Sequence, residues 1–358
     1  MNQSTQKTFD IPVGHMPTGP RNQITDVPGV RVGHSTIRDA KHNTGVTVIM
    51  PTEDNVYANK PVAAAYVHNG YGKTCGTVQI GELGTIETPI ALTNTLNVGL
   101  VADAIVQYMV ERCTEDGIVL RSVNPVVGEC NDSAMNTITD RPIRREHVFE
   151  AIQTASADFA EGDVGAGTGT TCSGFKGGIG SSSRLVTLGD QTYTVGILVQ
   201  SNYEDQRDLR INGQPLSDIP CDALTACDKG SIIIVLATDL PLSARQLNRV
   251  IKRCSVGIAR LGSYIGHGSG EVFIGFTTAN RVPLGGEEIL SFSAVNENCI
   301  DRIFRAVGEA SEEAILHSMW YASEGRTLDG QIIPSLSNRL SESTSNHSNN
   351  TGGHHHDR

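Results

Sequence analysis

One run constrains this chain more than any other: "GSIIIVLATDLPL", from Gly230 to Leu242. Five consecutive apolar residues, Ile232 to Leu236, follow Ser231. Closed by Asp239 and Pro241, the run is fit for a buried strand. Such a strand needs a covered sheet. Strand-like and helix-like segments interleave along the whole chain, with no linker and no repeat, so one α/β unit with sheets covered by helices is the expected architecture. The run has an odd start. A nucleophile-type residue opens a buried strand, and a residue without a side chain stands in front of it. A turn before a strand is one reading. The other is that Gly230–Ser231 is a bond the protein is built to break.

Bulk properties narrow the class. With 358 residues, 38% hydrophobic and 19% charged, the chain can build a sizeable core and is not globally disordered. A net charge of −11 argues against a partner that is a nucleic-acid backbone. Cysteines stand at 75, 113, 130, 172, 221, 227, 254 and 299, without CxxC spacing or a histidine cluster. That argues against a zinc site and fits reduced thiols in a cytosol. The first twenty residues hold no signal-peptide core, and no window approaches a membrane span, so a cytoplasmic protein is expected.

Residues 1–23 read as an arm over the surface. "VPGVRVGH" predicts a turn at Pro28–Gly29 and a strand; "TGVTVIMP", "PVAAAYVHNGYG" and "PIALTNT" predict further strands. Val98, Val101, Ile105, Tyr108 and Met109 recur at helical spacing. "RREHVFEAIQTASADFAEG" predicts a second helix and "LSARQLNRVIKRCSVGIARLG" a clear amphipathic one. "ENCIDRIFRAVGEASEEAILHSMWYA" predicts one or two more. "RLVTLG" and "TYTVGILVQSN" read as paired strands, "GEVFIGFTTAN" as another, and "QRDLRINGQPLSDI" as a surface excursion. The Ser/Asn/His-rich segment 336–358 reads as a disordered tail whose histidines bind metal only adventitiously.

The glycine tract from Gly162 to Arg184 contains "GAGTGTT". A dinucleotide fingerprint needs a strand before it and a helix after it, and "CSGFKGGIGSSSR" is a poor helix. A glycine loop lying against another backbone, or a cleft wall, fits better. At Gly230–Ser231 a serine hydroxyl can attack the preceding carbonyl, and glycine offers no Cβ to block it. Cleavage would give Ser231 both a hydroxyl and an α-amine, a self-contained nucleophile and base. Ser269 and Glu271, two apart ahead of an apolar run, point the same way and can hold such an amine. Asn202 ends an apolar strand and can donate to an oxyanion. Glu129 and Asn131 follow another apolar run, where a carboxylate can bind a substrate ammonium. His68, Asn69 and Lys73 share a turn; a structural histidine is the expectation for His68. For each of these the plain alternative is an ordinary polar turn.

Taken together, "RNQITDVPGVRVGHSTI", "TGVTVIMP", "ELGTIETPIALTNTLNVG", "NPVVGECND", "GFKGGIGSSSR", "GILVQSNY", "GSIIIVLATDLPL" and "GHGSGE" resemble the self-processing L-aminopeptidase/D-amidase/D-esterase family, which includes β-peptidyl aminopeptidases. The blocks run in order from about residue 21 to about 325. The resemblance implies an αββα sandwich like that of N-terminal-nucleophile hydrolases and of the ornithine acetyltransferase-like fold, within one domain over 24–335. It implies cleavage into an α chain 1–230 and a β chain 231–358 that stay together, in a homotetramer of processed units, without metal or organic cofactor. Ser231 would be nucleophile and base, Ser269 and Glu271 its support, Asn202 part of the oxyanion hole, and Glu129 the holder of the substrate's amino group. The substrate would be a small peptide, amino-acid amide or ester. The family loop resembling "NDGYLND" is "NDSAMNT" here, so Ala134 stands at the tyrosine's place and implies a wider pocket or a lost hydroxyl contact. A self-processing acyltransferase, which typically uses threonine, and a glycine-rich binding protein are the alternatives.

Overall fold

The computed structural model describes residues 8–216 and 230–341. The start of the arm, the end of the 206–219 excursion and residues 342–358 of the expected tail lie outside them. In chain order the elements are β1 (Arg31–Arg38), β2 (Asn43–Met50), β3 (Asn59–Gly70), α1 (Thr77–Leu83), β4 (Ile90–Asn94), α2 (Val98–Glu115), β5 (Val126–Cys130) and α3 (Arg145–Gln153). Then come β6 (Thr171–Cys172), β7 (Phe175–Lys176), β8 (Ile179–Leu188), β9 (Gln191–Asn202), β10 (Arg210–Ile211), β11 (Gln214–Pro215) and β12 (Ser231–Thr238). The chain continues with α4 (Ala244–Ile251), α5 (Cys254–Arg260), β13 (Gly270–Pro283), α6 (Ile300–Trp320), β14 (Gly325–Arg326) and β15 (Ile332–Ile333).

Two sheets stack. One has the order β1–β2–β4–β5, the other β3–β13–β12–β9–β8. The opening run shows why. Ile232, Ile234 and Leu236 of β12 pack among the apolar faces of α4, α5 and α6. Ile233, Val235 and Ala237 alternate to the other face and meet Ile90, Leu92 and Val126 of the first sheet. That sheet's outer face, through Val46, Val48 and Ala91, packs on Val101 and Ile105 of α2 and Val148 of α3. The result is four layers, αββα. A strand apolar on both alternations can sit only inside such a stack.

Several elements differ from the sequence reading, each for a local reason. The second helix stops at Gln153, because Ser156 leaves it to exchange two backbone hydrogen bonds with Val32 at the sheet edge. The amphipathic helix is two, α4 and α5, so that one lies on β3 and β13 while the other packs on α6. Helix α6 is a single helix. The "IGSSSR" end of the glycine tract is strand, β8, not loop. A Cβ on Gly180 would sit 1.9 Å from the Ala314 carbonyl oxygen of α6, so only small residues let that helix lie so close. Residues 336–341, placed in the tail by composition, are helical, with Leu336 and Ser337 buried. Residues 9–19 of the arm cross α6 and β8: the Phe9 ring meets His317 at 4.4 Å, and Gly19 N–H donates to the Ser183 hydroxyl.

Candidate active site

Sheet register builds the site. Ser231 opens β12. Its antiparallel partner on β9 is Asn202, and its parallel partner on β13 is Gly270. Three strands therefore bring a hydroxyl, an amide and a bare backbone to one level. Ser231 is nearly buried at 6% exposure, and its hydroxyl donates to the Gly230 carbonyl oxygen at 2.7 Å. The Gly270 N–H donates to the same oxygen at 3.2 Å. That carbonyl is thus polarised from two sides, at the bond the sequence singled out.

Both glycines are required by space. A Cβ on Gly230 would lie 2.3 Å from Tyr203 Cα, and one on Gly270 would lie 3.2 Å from Ser231 Oγ. The absent side chain at Gly270 is the room in which the Ser231 hydroxyl sits.

Asn202 accepts from the Thr171 N–H at 3.0 Å through Oδ1. That contact fixes the amide, with its nitrogen as the remaining donor toward the cavity Asn202 lines. The Ser269 hydroxyl donates to Glu271 Oε1, and both residues are buried. Glu271 is in register with Ile232. By strand alternation the Ser269–Glu271 pair faces away from the Ser231 hydroxyl and flanks the backbone there. The loop that carries Ser269 is pinned by Asn69, whose Nδ2 donates to the Gly266 and Ser269 carbonyls at 2.8 and 2.5 Å.

A cavity of about 430 Å³ opens over Ser231. Glu129, at the end of β5, lies on its wall at 2% exposure. Its Oε1 accepts from the Lys73 N–H at 2.9 Å, and its Oε2 from the Thr95 hydroxyl. A carboxylate fixed in this way on a cavity wall is a ready partner for an ammonium. Asn131 also lines the cavity, but its Oδ1 is spent on the Ser133 N–H and hydroxyl, so it shapes the loop first. Ala134 lines the same wall. Beneath the loop, burial pushes the Asp132 carboxyl up to about 6, against hydrogen bonds from Thr44, Asn136 and Asn94. Burial likewise pushes the Cys130 thiol well up; its Sγ donates to the Gln200 and Ser231 carbonyls beneath the cavity.

Of the residues singled out in the sequence, Lys73, Glu129, Asn131, Ala134, Asn202 and Ser231 line one cavity, while Ser269 and Glu271 flank the Ser231 backbone and Asn69 holds their loop. His68 lies on an exposed stretch of β3, its ring 6.0 Å from Phe273, away from the cavity. The "GAGTGTT" segment is a short turn running into β6, not a strand-to-helix junction, so it lacks dinucleotide-binding geometry. Its glycines lie against backbone: a Cβ on Gly169 would sit 2.0 Å from the Asn43 carbonyl oxygen. Thr95, Thr171 and Gly270 were not foreseen. Gly270 enters through strand pairing, and Thr95 and Thr171 through single hydrogen bonds to Glu129 and Asn202; none of these contacts leaves a local mark in the sequence.

A family profile described as Peptidase family S58 matches residues 22–333. The chain is 39% identical to a β-peptidyl aminopeptidase, BapA, of Sphingosinicella xenopeptidilytica, over 86% of this chain and 83% of that one. Among solved structures it is similar to the PH0078 protein from Pyrococcus horikoshii OT3, at 45% identity and a TM-score of 0.85, covering 91% and 94% of the two chains. It is also similar to the L-aminopeptidase D-Ala-esterase/amidase from Ochrobactrum anthropi, described as a prototype of the serine aminopeptidases and a variant of the Ntn hydrolase fold. There the identity is 34%, the TM-score 0.86, and the coverage 94% and 97%.

Proposed function

This chain belongs to peptidase family S58, and we propose that its catalytic group is Ser231, freed by cleavage of the Gly230–Ser231 bond. The chain is a peptide-bond hydrolase of the Ntn fold, an aminopeptidase and amidase by its relatives. One observation carries the self-processing part: the Gly230 carbonyl oxygen lies between the Ser231 hydroxyl and the Gly270 N–H.

In the precursor step Ser231 Oγ attacks the Gly230 carbonyl carbon, and Gly270 N–H takes up charge on the oxygen. The hydroxyl proton passes to the Ser231 nitrogen, the C–N bond breaks, that nitrogen leaves as an amine, and the acyl group remains on Oγ. Water adds to that ester and leaves the Gly230 carboxylate and the free hydroxyl. An α-amine ordinarily titrates at about 7.7–8.0, so the new one is partly unprotonated at neutral pH. In turnover this amine takes the Ser231 hydroxyl proton as Oγ attacks the substrate carbonyl. Asn202 Nδ2 donates to the developing oxyanion. The same proton passes to the leaving amine, and water hydrolyses the acyl-enzyme. Ser269 and Glu271 hold and orient the α-amine. Glu129 binds the substrate's free ammonium. Ala134 leaves the cavity wall open, which suits N-terminal residues with an extended backbone, β-residues included.

Chains 1–230 and 231–358 stay together in this reading, since β9, β12 and β13 share one sheet across the cut. Leu284, Ile289, Leu290 and Phe292, exposed in one stretch of chain, support assembly into a tetramer of processed units. No helix among the described residues is long and apolar enough to cross a membrane. Cys75, Cys113, Cys130, Cys172, Cys254 and Cys299 are free thiols, which supports a reducing, cytoplasmic setting.

Intact mass spectrometry under denaturing conditions tests the nucleophile without any substrate. Two species that divide between Gly230 and Ser231 are expected, and one uncut species in Ser231→Ala. An uncut Ser231→Ala protein that still hydrolyses aminoacyl amides would sink the mechanism.

A further inference from the structure

We propose that Lys73 reads the C-terminal carboxylate of the substrate, so that the preferred substrates are dipeptides with a free carboxylate rather than the matching amides. The inference rests on the aminopeptidase reading above and adds the chemistry at the far end of the substrate.

Of the described residues lining the cavity over Ser231, Glu129 is the only anion and Lys73 the only cation. The two are tied by backbone, not paired by charge: Lys73 N–H donates to Glu129 Oε1 at 2.9 Å. That bond and the tight Gly70–Gly72 turn, where Gly72 N–H donates to the Gly70 carbonyl at 2.8 Å, fix where the lysine leaves the wall. The side chain then lies along the rim, its Nζ 5.0 Å from the Tyr71 ring centroid. The Tyr71 ring holds the ammonium by cation–π attraction without neutralising it. The cavity is therefore dipolar. A carboxylate sits on the wall near the nucleophile, and an ammonium sits on a flexible stem at the mouth.

A zwitterionic dipeptide matches that pattern. With its ammonium on Glu129 its scissile carbonyl reaches Ser231. Its own carboxylate lies roughly 7 Å from its ammonium, two residues of extended chain, toward the mouth. An amide or a long peptide puts no charge there. A rim contact of this kind is exposed, so its effect is modest and falls with salt.

The test is a matched set built on each of a panel of small α- and β-aminoacyl residues: the dipeptide acid, the dipeptide amide and the aminoacyl 4-nitroanilide. The quantity read is the acid-to-amide ratio of kcat/KM. About a two- to fivefold preference for the acid is expected in wild type, arising in KM and shrinking as salt is raised. Lys73→Met should bring the ratio to about one, and Lys73→Arg should keep most of it. An equal ratio in wild type and Lys73→Met overturns the assignment, because loss of wall geometry would lower acid and amide alike. A wild type that splits the amides without favouring the acid overturns it too, and leaves the aminopeptidase reading standing. A processed wild type that splits no member of the set, nitroanilide included, overturns both.

Discussion

Gly270 and Glu129 show how much of this site is set by single residues. A Cβ at Gly270 would press on Ser231 Oγ at 3.2 Å and on the Tyr71 carbonyl oxygen at 2.8 Å. We predict that Gly270→Ala folds but self-cleaves at least about tenfold more slowly, because a displaced hydroxyl loses its attack geometry; band ratios over time on a denaturing gel measure it. Glu129→Gln keeps an acceptor for Lys73 N–H and a neutral shape, but loses the charge. KM for aminoacyl amides should rise about 10- to 100-fold, the worth of one charge-assisted hydrogen bond, with kcat and self-cleavage near wild type. A fall in kcat with KM unmoved would remove Glu129 from substrate binding. Ser231, Asn202, Glu129 and Glu271 were legible because each ends or begins an apolar run, where a polar residue has no packing reason to be. Thr95, Thr171 and Gly270 were not. A threonine or glycine beside a strand says nothing until the tertiary fold places it against Glu129, Asn202 or Ser231.

At the scale of elements, the long strands and α2 followed from periodicity, while ends and breaks did not. The stop of α3 depends on Ser156 finding Val32, and the break between α4 and α5 depends on what each half covers. Both are tertiary events. The glycine tract was the hardest segment, since its composition is that of a loop and its conformation is decided by close neighbours. One such neighbour makes a pH prediction. His34 of β1 bridges the Thr47 hydroxyl at 2.9 Å and the Ala160 carbonyl at 3.0 Å, and Thr47 in turn accepts from Ala166 N–H. Burial lowers the His34 pKa to about 4, against the favourable Ala160 carbonyl. The folded state therefore binds this proton less readily than the unfolded chain, whose histidine titrates near 6.5. Stability from this residue is complete above about pH 6.5 and is lost as the pH falls toward 4. Urea unfolding from pH 7 to pH 4 should show a shallower loss in His34→Gln than in wild type. Parallel curves would show that the acid sensitivity lies elsewhere.

For the whole molecule, the proposed cleavage raises the question of what would hold the two chains together. The sheet is one answer, and a buried charge cluster is another. Arg184 of β8 is 1% exposed and meets Glu309 and Glu313 of α6 at 3.4 and 2.5 Å. It also donates to the Val13 carbonyl of the arm, while Glu309 accepts from the His15 and Met16 N–H groups. Arm and β8 precede the proposed cut, and α6 follows it. Such a cluster adds little over an apolar core as long as it is complete, because desolvation offsets the attraction. Broken from one side, it leaves Glu309 without its cation and Glu313, among the described residues, facing only His317, at 3.9 Å. Arg184→Met should therefore cost about 3–5 kcal/mol in urea unfolding of the processed protein. Adding Glu309→Gln and Glu313→Gln should recover part of that loss, since the stranded charges are gone. Recovery separates charge from packing: a triple variant no more stable than Arg184→Met would mean that the arginine acts by filling space. The single variant should also release chain 231–358 from chain 1–230 at a lower urea concentration, read by size-exclusion chromatography. A clasp built on charges from both sides of the cut must fail in both measurements together.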